Sequence, residues 1–356
     1  MQNSERKLKI LIPILTFGKE GGFRVLAQLA NNWSDMGHDV AIVSYYENNS
    51  PYFPTNAKIY WIDDEGKEHA TNKNEFDIKG SAFTRAKSLF RFLKKYAQNF
   101  DVVLANQNLS AWPVALGSKS MNFYYIQAYE PSFYKNIMKK GIAWLTYFLP
   151  LFKIVNADIY KIYKNIRSNI VIPPGLDLET YYPKILQKIE NEKIVVGCIG
   201  RKEEWKGSND VGEAIKILRS KGYNVKFKVA FEPIKYSDHE LVFPDGDSNL
   251  ADFYRSLDVL VAPGHIQLGA VHYPVIEAMA CKVPVITTGY YPANNENSFI
   301  VPIKRPDIIA DTLIEIIENY ESAIKKTEIA HNTISQFDWK VVSAKFLNVF
   351  NDGLRR

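Results

Sequence analysis

The sequence predicts an α/β protein built from two doubly wound domains, and three observations carry that prediction. Apolar strand-like runs alternate with amphipathic helical patterns from the start, as in a parallel sheet wrapped by helices. A breaker cluster, IVIPPGLDLETYYP at 170–183, carries three prolines and a glycine, and the whole alternation begins again after it. The length of 356 residues suits two domains, and 46% hydrophobic with 23% charged residues supplies a sizeable core.

In the first half the expected strands are KILIPIL (9–15), DVAIVSYY (39–46), AKIYWID (57–63), DVVLANQ (101–107) and NFYYIQ (122–127). Between the first two, Val25, Leu26, Leu29, Ala30 and Trp33 keep a helical period, and Gly37 follows as a stop. The second half offers KIVVGCIG (193–200), VKFKVAF (225–231), HELVF (239–243), DVLVAP (258–263), PVITT (284–288) and SFIVPI (298–303), separated by helical stretches such as NDVGEAIKILRSKG and NLADFYRSL. Two such domains in tandem place a cleft between the carboxyl ends of their sheets, which is where a ligand is expected.

Bulk numbers exclude several classes. A formal charge of +5 is too mild for a strong nucleic-acid footprint, and no RNA-recognition, zinc-finger or helix-turn-helix signature is present, so no nucleic-acid partner is expected. The two cysteines, Cys198 and Cys281, each sit in an apolar run and read as buried, reduced thiols of a cytosolic protein. The N-terminal apolar stretch contains Pro13 and runs into a glycine loop, so it reads as a strand rather than a signal peptide. The longest membrane-span candidate, IAWLTYFLPLF at 142–152, falls well short of a spanning length. No metal cluster is visible, and metal-independent chemistry is expected.

Candidate chemistry gathers in the second half. After DVLVAP comes the loop GHIQLGAVHY, and Pro274 opens a helix whose first turn is expected to hold Glu277. The free amides of such a turn favour an anion. Glu277 near the same mouth either binds a diol such as a ribose or complements the helix dipole, and the stretch alone leaves both open. The strand KIVVGCIG ends at Gly200 in GRKEEWKG, with Arg201 next and Lys206 five residues on, two cations placed to clamp a pyrophosphate from the other side.

Taken together, GGFRVLAQLANNWSDMGHDVAIVS, IPPGLDLETYYP, GRKEEWKG, LADFYRSLDVLVAP and YPVIEAMACKVPVITT resemble the retaining, nucleotide-sugar-dependent glycosyltransferases of family four, which have the GT-B fold, over nearly the whole chain. The stretch FYYIQAYEPSFY further resembles a rhamnosyltransferase-like subset that builds bacterial surface polysaccharides. The resemblance implies an acceptor-binding Rossmann-like domain at 1–173, rejoined by a C-terminal helix at 338–356, and a donor-binding one at 174–337. Laid onto matching positions, it makes Glu277 the ribose ligand and Arg201 with Lys206 the pyrophosphate ligands, the three residues of the catalytic set. The donor site would be completed by Gly21, Gly22, Gly200, Gly269, Ala270, Val271 and His272, with Asn106, Gln127 and Glu130 on the acceptor side.

Two departures stand out. The first glutamate of the family's two-glutamate motif falls at Gly269, and no acid lies between Asp258 and Glu277. Where many relatives carry a histidine near the reacting centre, this chain has Asn106 and Gln127, and neither amide is a general base. In the family's usual mechanism the leaving phosphate takes the acceptor's proton, so both losses are survivable, and a loop rebuilt around Gln267, Gly269 and His272 would suit a deoxysugar donor. The expected function is therefore transfer of a sugar from a nucleoside-diphosphate sugar to a saccharide or lipid-linked saccharide, with no cofactor. The alternative is a non-catalytic sugar-nucleotide-binding or scaffold subunit of a polysaccharide assembly complex, which the absent acid favours.

One segment points to a surface. Residues 131–167 carry Lys135, Lys139, Lys140, Lys153, Lys161, Lys164 and Arg167 against the single acid Asp158, interleaved with Trp144, Tyr147, Phe148 and Phe152. Such a run either lies on an anionic membrane or forms an ordinary helix with a buried aromatic face. The expected location is cytoplasmic, with peripheral contact on the inner face of the plasma membrane.

Overall fold

The structure is a computed structural model that describes residues 6–47, 49–73, 81–158, 166, 168, 170–184, 193–235, 238–266 and 270–355. It divides into two compact units, residues 1–175 with 339–356, and residues 176–338.

Chain order in the first unit is β1 (Lys9–Pro13), α1 (Gly21–Asp35), β2 (Asp39–Tyr45), β3 (Lys58–Ile62), β4 (Glu68–His69), α2 (Ala82–Tyr96), β5 (Val102–Ala105), α3 (Asn108–Gly117), β6 (Met121–Ile126), α4 (Ile137–Leu145), β7 (Phe152–Val155) and β8 (Ile170–Val171). Among the described residues these strands form an eight-stranded sheet in the order β4-β3-β2-β1-β5-β6-β7-β8. Every pairing is parallel except β3 with β4. Near-continuous burial of Ile10 to Pro13 and of Val102 to Ala105 fits strands covered on both faces.

The second unit runs β9 (Lys193–Gly200), α5 (Ser208–Ser220), β10 (Asn224–Phe231), β11 (Glu240–Val242), α6 (Gly246–Arg255), β12 (Val259–Ala262), α7 (Tyr273–Ala280), β13 (Val285–Thr287), β14 (Phe299–Ile300), α8 (Pro306–Glu318) and α9 (Tyr320–Ile334). Its described strands form an all-parallel six-stranded sheet, β11-β10-β9-β12-β13-β14. The chain then returns to the first unit with α10 (Trp339–Leu354). The edge ring of Trp33 on α1 meets Phe350 and Phe346 of that helix at 5.4 and 5.8 Å, and its indole N–H donates to the Ser343 carbonyl at 3.1 Å.

In each sheet the strand order reverses at one place. In the first unit it reverses at β1, between β2 and β5; in the second at β9, between β10 and β12. Loops leaving the carboxyl ends of the strands at such a reversal diverge and leave a crevice, so these two places position the candidate site residues.

The structure bears on several sequence expectations in detail. Phe152–Val155, part of the run expected to lie on a membrane or form a helix, is the strand β7, with Ile154 and Val155 fully buried beside β6. Lys161, Lys164 and Arg167 lie outside the described residues. The run at 170–183 is not wholly linker, since Ile170 and Val171 pair with β7 before the prolines end the strand. Both cysteines are free and buried, and burial pushes both thiols upward in pKa. Among the described residues no helix is long and apolar enough to cross a membrane.

Candidate functional site

Two glycines bring the strand ends of the second unit together. At Gly200, the last residue of β9, a Cβ would lie 1.7 Å from the Glu232 carbonyl oxygen, so only a residue without a side chain lets the two strand ends approach. Gly207 adopts φ +74°, and a Cβ there would meet the Pro263 carbonyl oxygen at 2.3 Å. The left-handed turn therefore carries the start of α5 against the end of β12. Ser208, the first residue of α5, is buried and donates its hydroxyl to the Ile199 carbonyl at 3.0 Å, which fixes the join.

Between these glycines lie the two cations. Arg201 is exposed, with its guanidinium 5.5 Å from the centre of the Phe231 ring. Phe231 itself holds φ 73°, a costly conformation for a non-glycine residue, at the end of β10. Lys206 is half-buried in the 3-10 turn Glu204–Lys206, its ammonium 4.2 Å from the Trp205 ring centre. Burial lowers its pKa, and the Arg201 charge adds to the lowering.

From the other side comes the start of α7. The helix begins at Tyr273 with His272 as its N-cap and Pro274 in its second position. Glu277 is therefore the fifth helical residue, a full turn in, and not in the first turn as expected. It is only 2% exposed, and Oε2 accepts a hydrogen bond from the buried Tyr254 hydroxyl of α6 at 2.8 Å. The His272 ring stacks on Tyr290 with centroids 4.1 Å apart, and its Nδ1 is buried without a hydrogen-bond partner among the described residues. Burial first, then the positive charges of Lys206 and Arg201, depress the imidazole pKa to about 3. The ring is thus neutral at physiological pH, a polar group that shares the pocket lining with two cations without adding a third charge.

Arg201, Lys206, Ser208, Pro263, His272 and Tyr273 help line a pocket of about 240 Å³. No carboxylate is among the described residues that line it, and Glu277 is not at its wall. Two cations, a neutral imidazole and the amide end of α7 make a site whose electrostatics favour an anion. Val271 also lines the pocket and pairs with Tyr291 in an isolated bridge, whereas Ala270 is half-buried in the loop before it. Gly269 and Gln267 lie outside the described residues.

Sequence reasoning passed over the braces of this loop. His265 Nε2 lies 2.7 Å from Asp210 Oδ2 in the first turn of α5, and the His265 N–H donates to the Trp205 carbonyl at 2.8 Å. Tyr290 donates to the Ile266 carbonyl at 3.0 Å. These contacts tie the loop after β12 to the loop that carries Lys206, and no local pattern announces a pairing across 55 positions.

In the first unit, Gly21 and Gly22 are the first two residues of α1. Gln127, just past β6, donates its side-chain amide to the Gly22 carbonyl at 3.4 Å, and the space a Gly22 Cβ would fill is already in contact with that amide. Asn106, just past β5, is 5% exposed and its Oδ1 has no hydrogen-bond partner among the described residues. Glu130 is inside the protein. It accepts from the Tyr124 hydroxyl at 2.7 Å and from the Asn108 N–H at 2.5 Å, so it caps the start of α3. Burial dominates those hydrogen bonds and raises its carboxyl pKa to about 7. The structure thus brings Gly22 together with Gln127, and Glu130 with the start of α3.

Residues 193–319 match the family of Glycosyl transferases group 1. That match runs from β9 through α8 and so contains the pocket. The capsular polysaccharide biosynthesis glycosyltransferase CapM of Staphylococcus aureus is 30% identical over 200 residues, 50% of this chain and 50% of that protein. A D-inositol 3-phosphate glycosyltransferase of Corynebacterium glutamicum is 25% identical over 218 residues, 52% and 51% of the two. The chain spans about half the length of the curated relatives it matches. Among solved structures, HepE of Anabaena in complex with UDP and glucose aligns over 97% of this chain and 99% of its own, with TM-score 0.68 and 14% identity. A sucrose-phosphate synthase of Thermosynechococcus elongatus aligns over 98% and 99%, with TM-score 0.70 and 14% identity. The chain has two Rossmann-like sheets, and these structural neighbours are GT-B glycosyltransferases.

Proposed function

We propose that the chain is a retaining glycosyltransferase that moves a sugar from a nucleoside-diphosphate sugar to a saccharide or lipid-linked saccharide, in the building of a cell-surface polysaccharide. The observation that carries the reading is the pocket lined by Arg201, Lys206 and the start of α7, with no carboxylate among its described lining residues. It supplies counter-charge where a diphosphate leaving group gains charge, and stabilisation of that kind is a major part of catalysis in such transfers. His272, kept neutral by burial first and by the same cations next, offers a hydrogen-bonding ring without charge. Glu277 takes the ribose hydroxyls in this proposal, its carboxylate oriented by Tyr254 one turn behind the pocket wall.

In the reaction the bond from the anomeric carbon to the diphosphate oxygen breaks, and a bond to the acceptor oxygen forms on the same face. The acceptor's proton passes to the departing phosphate oxygen. No protein base is needed, which accords with amides at Asn106 and Gln127.

The test is release of nucleoside diphosphate from a panel of sugar donors. The wild-type chain should release it from at least one donor, and Arg201→Ala and Glu277→Ala should each slow release about a hundredfold or more. If the wild-type protein is no faster than either variant with every donor, transfer is excluded and the binding-subunit reading takes its place.

A further inference from the structure

The surface of residues 133–148 in the first unit lies apart in sequence from the residues that line the pocket of the second unit. Ile137, Met138 and Phe133 are 78%, 71% and 69% exposed, and Ile142, Trp144, Leu145 and Phe148 range from 41% to 50%. Projected at ~100° per residue, Trp144, Ile137, Phe148, Leu145, Met138 and Ile142 follow one another round an outward arc of roughly 160°. Ala143, Thr146 and Tyr147 fill the opposite side and are buried. This reverses the usual arrangement, in which the apolar stripe of a surface helix faces the core.

The element is a built helix, not a fraying loop. The Asn136 side chain caps it, accepting from the Met138 and Lys139 N–H groups at 2.9 and 3.2 Å. Trp112 of α3 donates to the Ile142 carbonyl at 3.4 Å, and the Trp144 and Phe148 rings meet edge to face at 4.6 Å.

Charge decides what covers this face. No Asp or Glu occurs from Pro131 to Ala157, while Lys135, Lys139 and Lys140 are all exposed. In the same projection Lys139 and Lys140 both fall outside the apolar arc, one beyond each end of it. Lys153, by contrast, is turned inward and donates to the Leu149 and Leu151 carbonyls at 3.0 and 3.1 Å. An outward apolar arc carrying a tryptophan, edged by lysines and free of acids, matches an interface of hydrocarbon below and phosphate above.

We propose that this face docks the protein on an anionic lipid surface, with the apolar residues of α4 and its flanking turns in the headgroup region and the three lysines on lipid phosphates. The inference stands without the sugar-transfer reading. It is tested by flotation of the full chain with vesicles of equal parts phosphatidylglycerol and phosphatidylcholine, against vesicles of phosphatidylcholine alone, at low and high salt. The protein should float with the anionic vesicles and be weakened by salt. Combined Lys135→Gln, Lys139→Gln and Lys140→Gln should weaken binding by roughly fivefold per lysine. Ile137→Ser with Leu145→Ser should abolish flotation while leaving circular dichroism and nucleoside diphosphate release unchanged, since both residues are exposed. Equal flotation with neutral and anionic vesicles, or undiminished flotation of the Ile137→Ser, Leu145→Ser protein, would overturn the proposal. So would a wild-type dimer in sedimentation that these two substitutions dissolve while vesicles bind neither protein, because the face would then belong to a second copy of the chain.

Discussion

Glu130 shows how much one buried residue depends on its environment. The carboxyl lies between the Tyr124 hydroxyl and the Asn108 N–H, both of which favour its charged form, yet burial outweighs them and raises its pKa from its ordinary 4.5 to about 7. Between these values the unfolded chain has released a proton that the folded chain retains. The contribution to stability is therefore full below pH 4.5, falls as pH rises toward 7, and is gone above it. The window corresponds to about 3 kcal/mol. Glu130→Gln, which keeps the shape without the titration, should remove that part of the slope in urea unfolding between pH 5 and 8. Identical slopes in the two proteins would show that Glu130 titrates as in the unfolded chain. His272 illustrates the opposite balance: there burial and the two cations all disfavour the charged ring, so it stays neutral far below its ordinary range.

At the scale of elements, the pocket depends on backbone that only glycine tolerates. Gly207→Ala forces a left-handed φ on an L-residue and places a Cβ against the Pro263 carbonyl, which is backbone and cannot rotate away. The substitution should destabilise the second unit by about 1–3 kcal/mol and weaken nucleotide binding by moving Lys206 away from α7. Denaturant unfolding with and without nucleoside diphosphate measures both effects, and wild-type values for both would mean that the turn does not set the pocket. The sequence made the central strands and α1 legible because their burial is periodic or continuous, and Arg201 and Lys206 legible because both follow a strand ending in glycine. It concealed α3, which is buried on several sides and contains Pro113, so that it shows neither a stripe nor a clean helical composition. β7 was hidden by the lysines and aromatics around it. The pairing of His265 with Asp210 has no local signature, since it exists only after β9 and β12 lie side by side.

At the scale of the whole molecule, the chain crosses from the first unit to the second after Gly175 and returns after Asp338. The two crossings are hydrogen-bonded to one another, with the Leu176 N–H donating to the Phe337 carbonyl at 2.7 Å. The last helix therefore completes the core of residues that lie more than 300 positions earlier, as in the Trp33 indole bond to Ser343 with a separation of 310. Trp339, Val342, Phe346, Leu347 and Phe350 are all buried in the core that also holds Leu29, Trp33 and Phe123. Burial of side chains this large contributes roughly 2 kcal/mol each, and five of them together approach the net stability of an entire domain. Ending the chain at Asp338 should therefore unfold the first unit while sparing the second, whose own cores are made within residues 176–338. Hydrogen exchange is the measurement: amides of β1, β2 and β5 should lose protection in the shortened chain, and those of β9, β10 and β12 should keep theirs. Retained protection in both sheets would show that α10 merely covers a core that is already closed. Loss in both would show that the second sheet depends on the first for its stability, and that the two units fold as one.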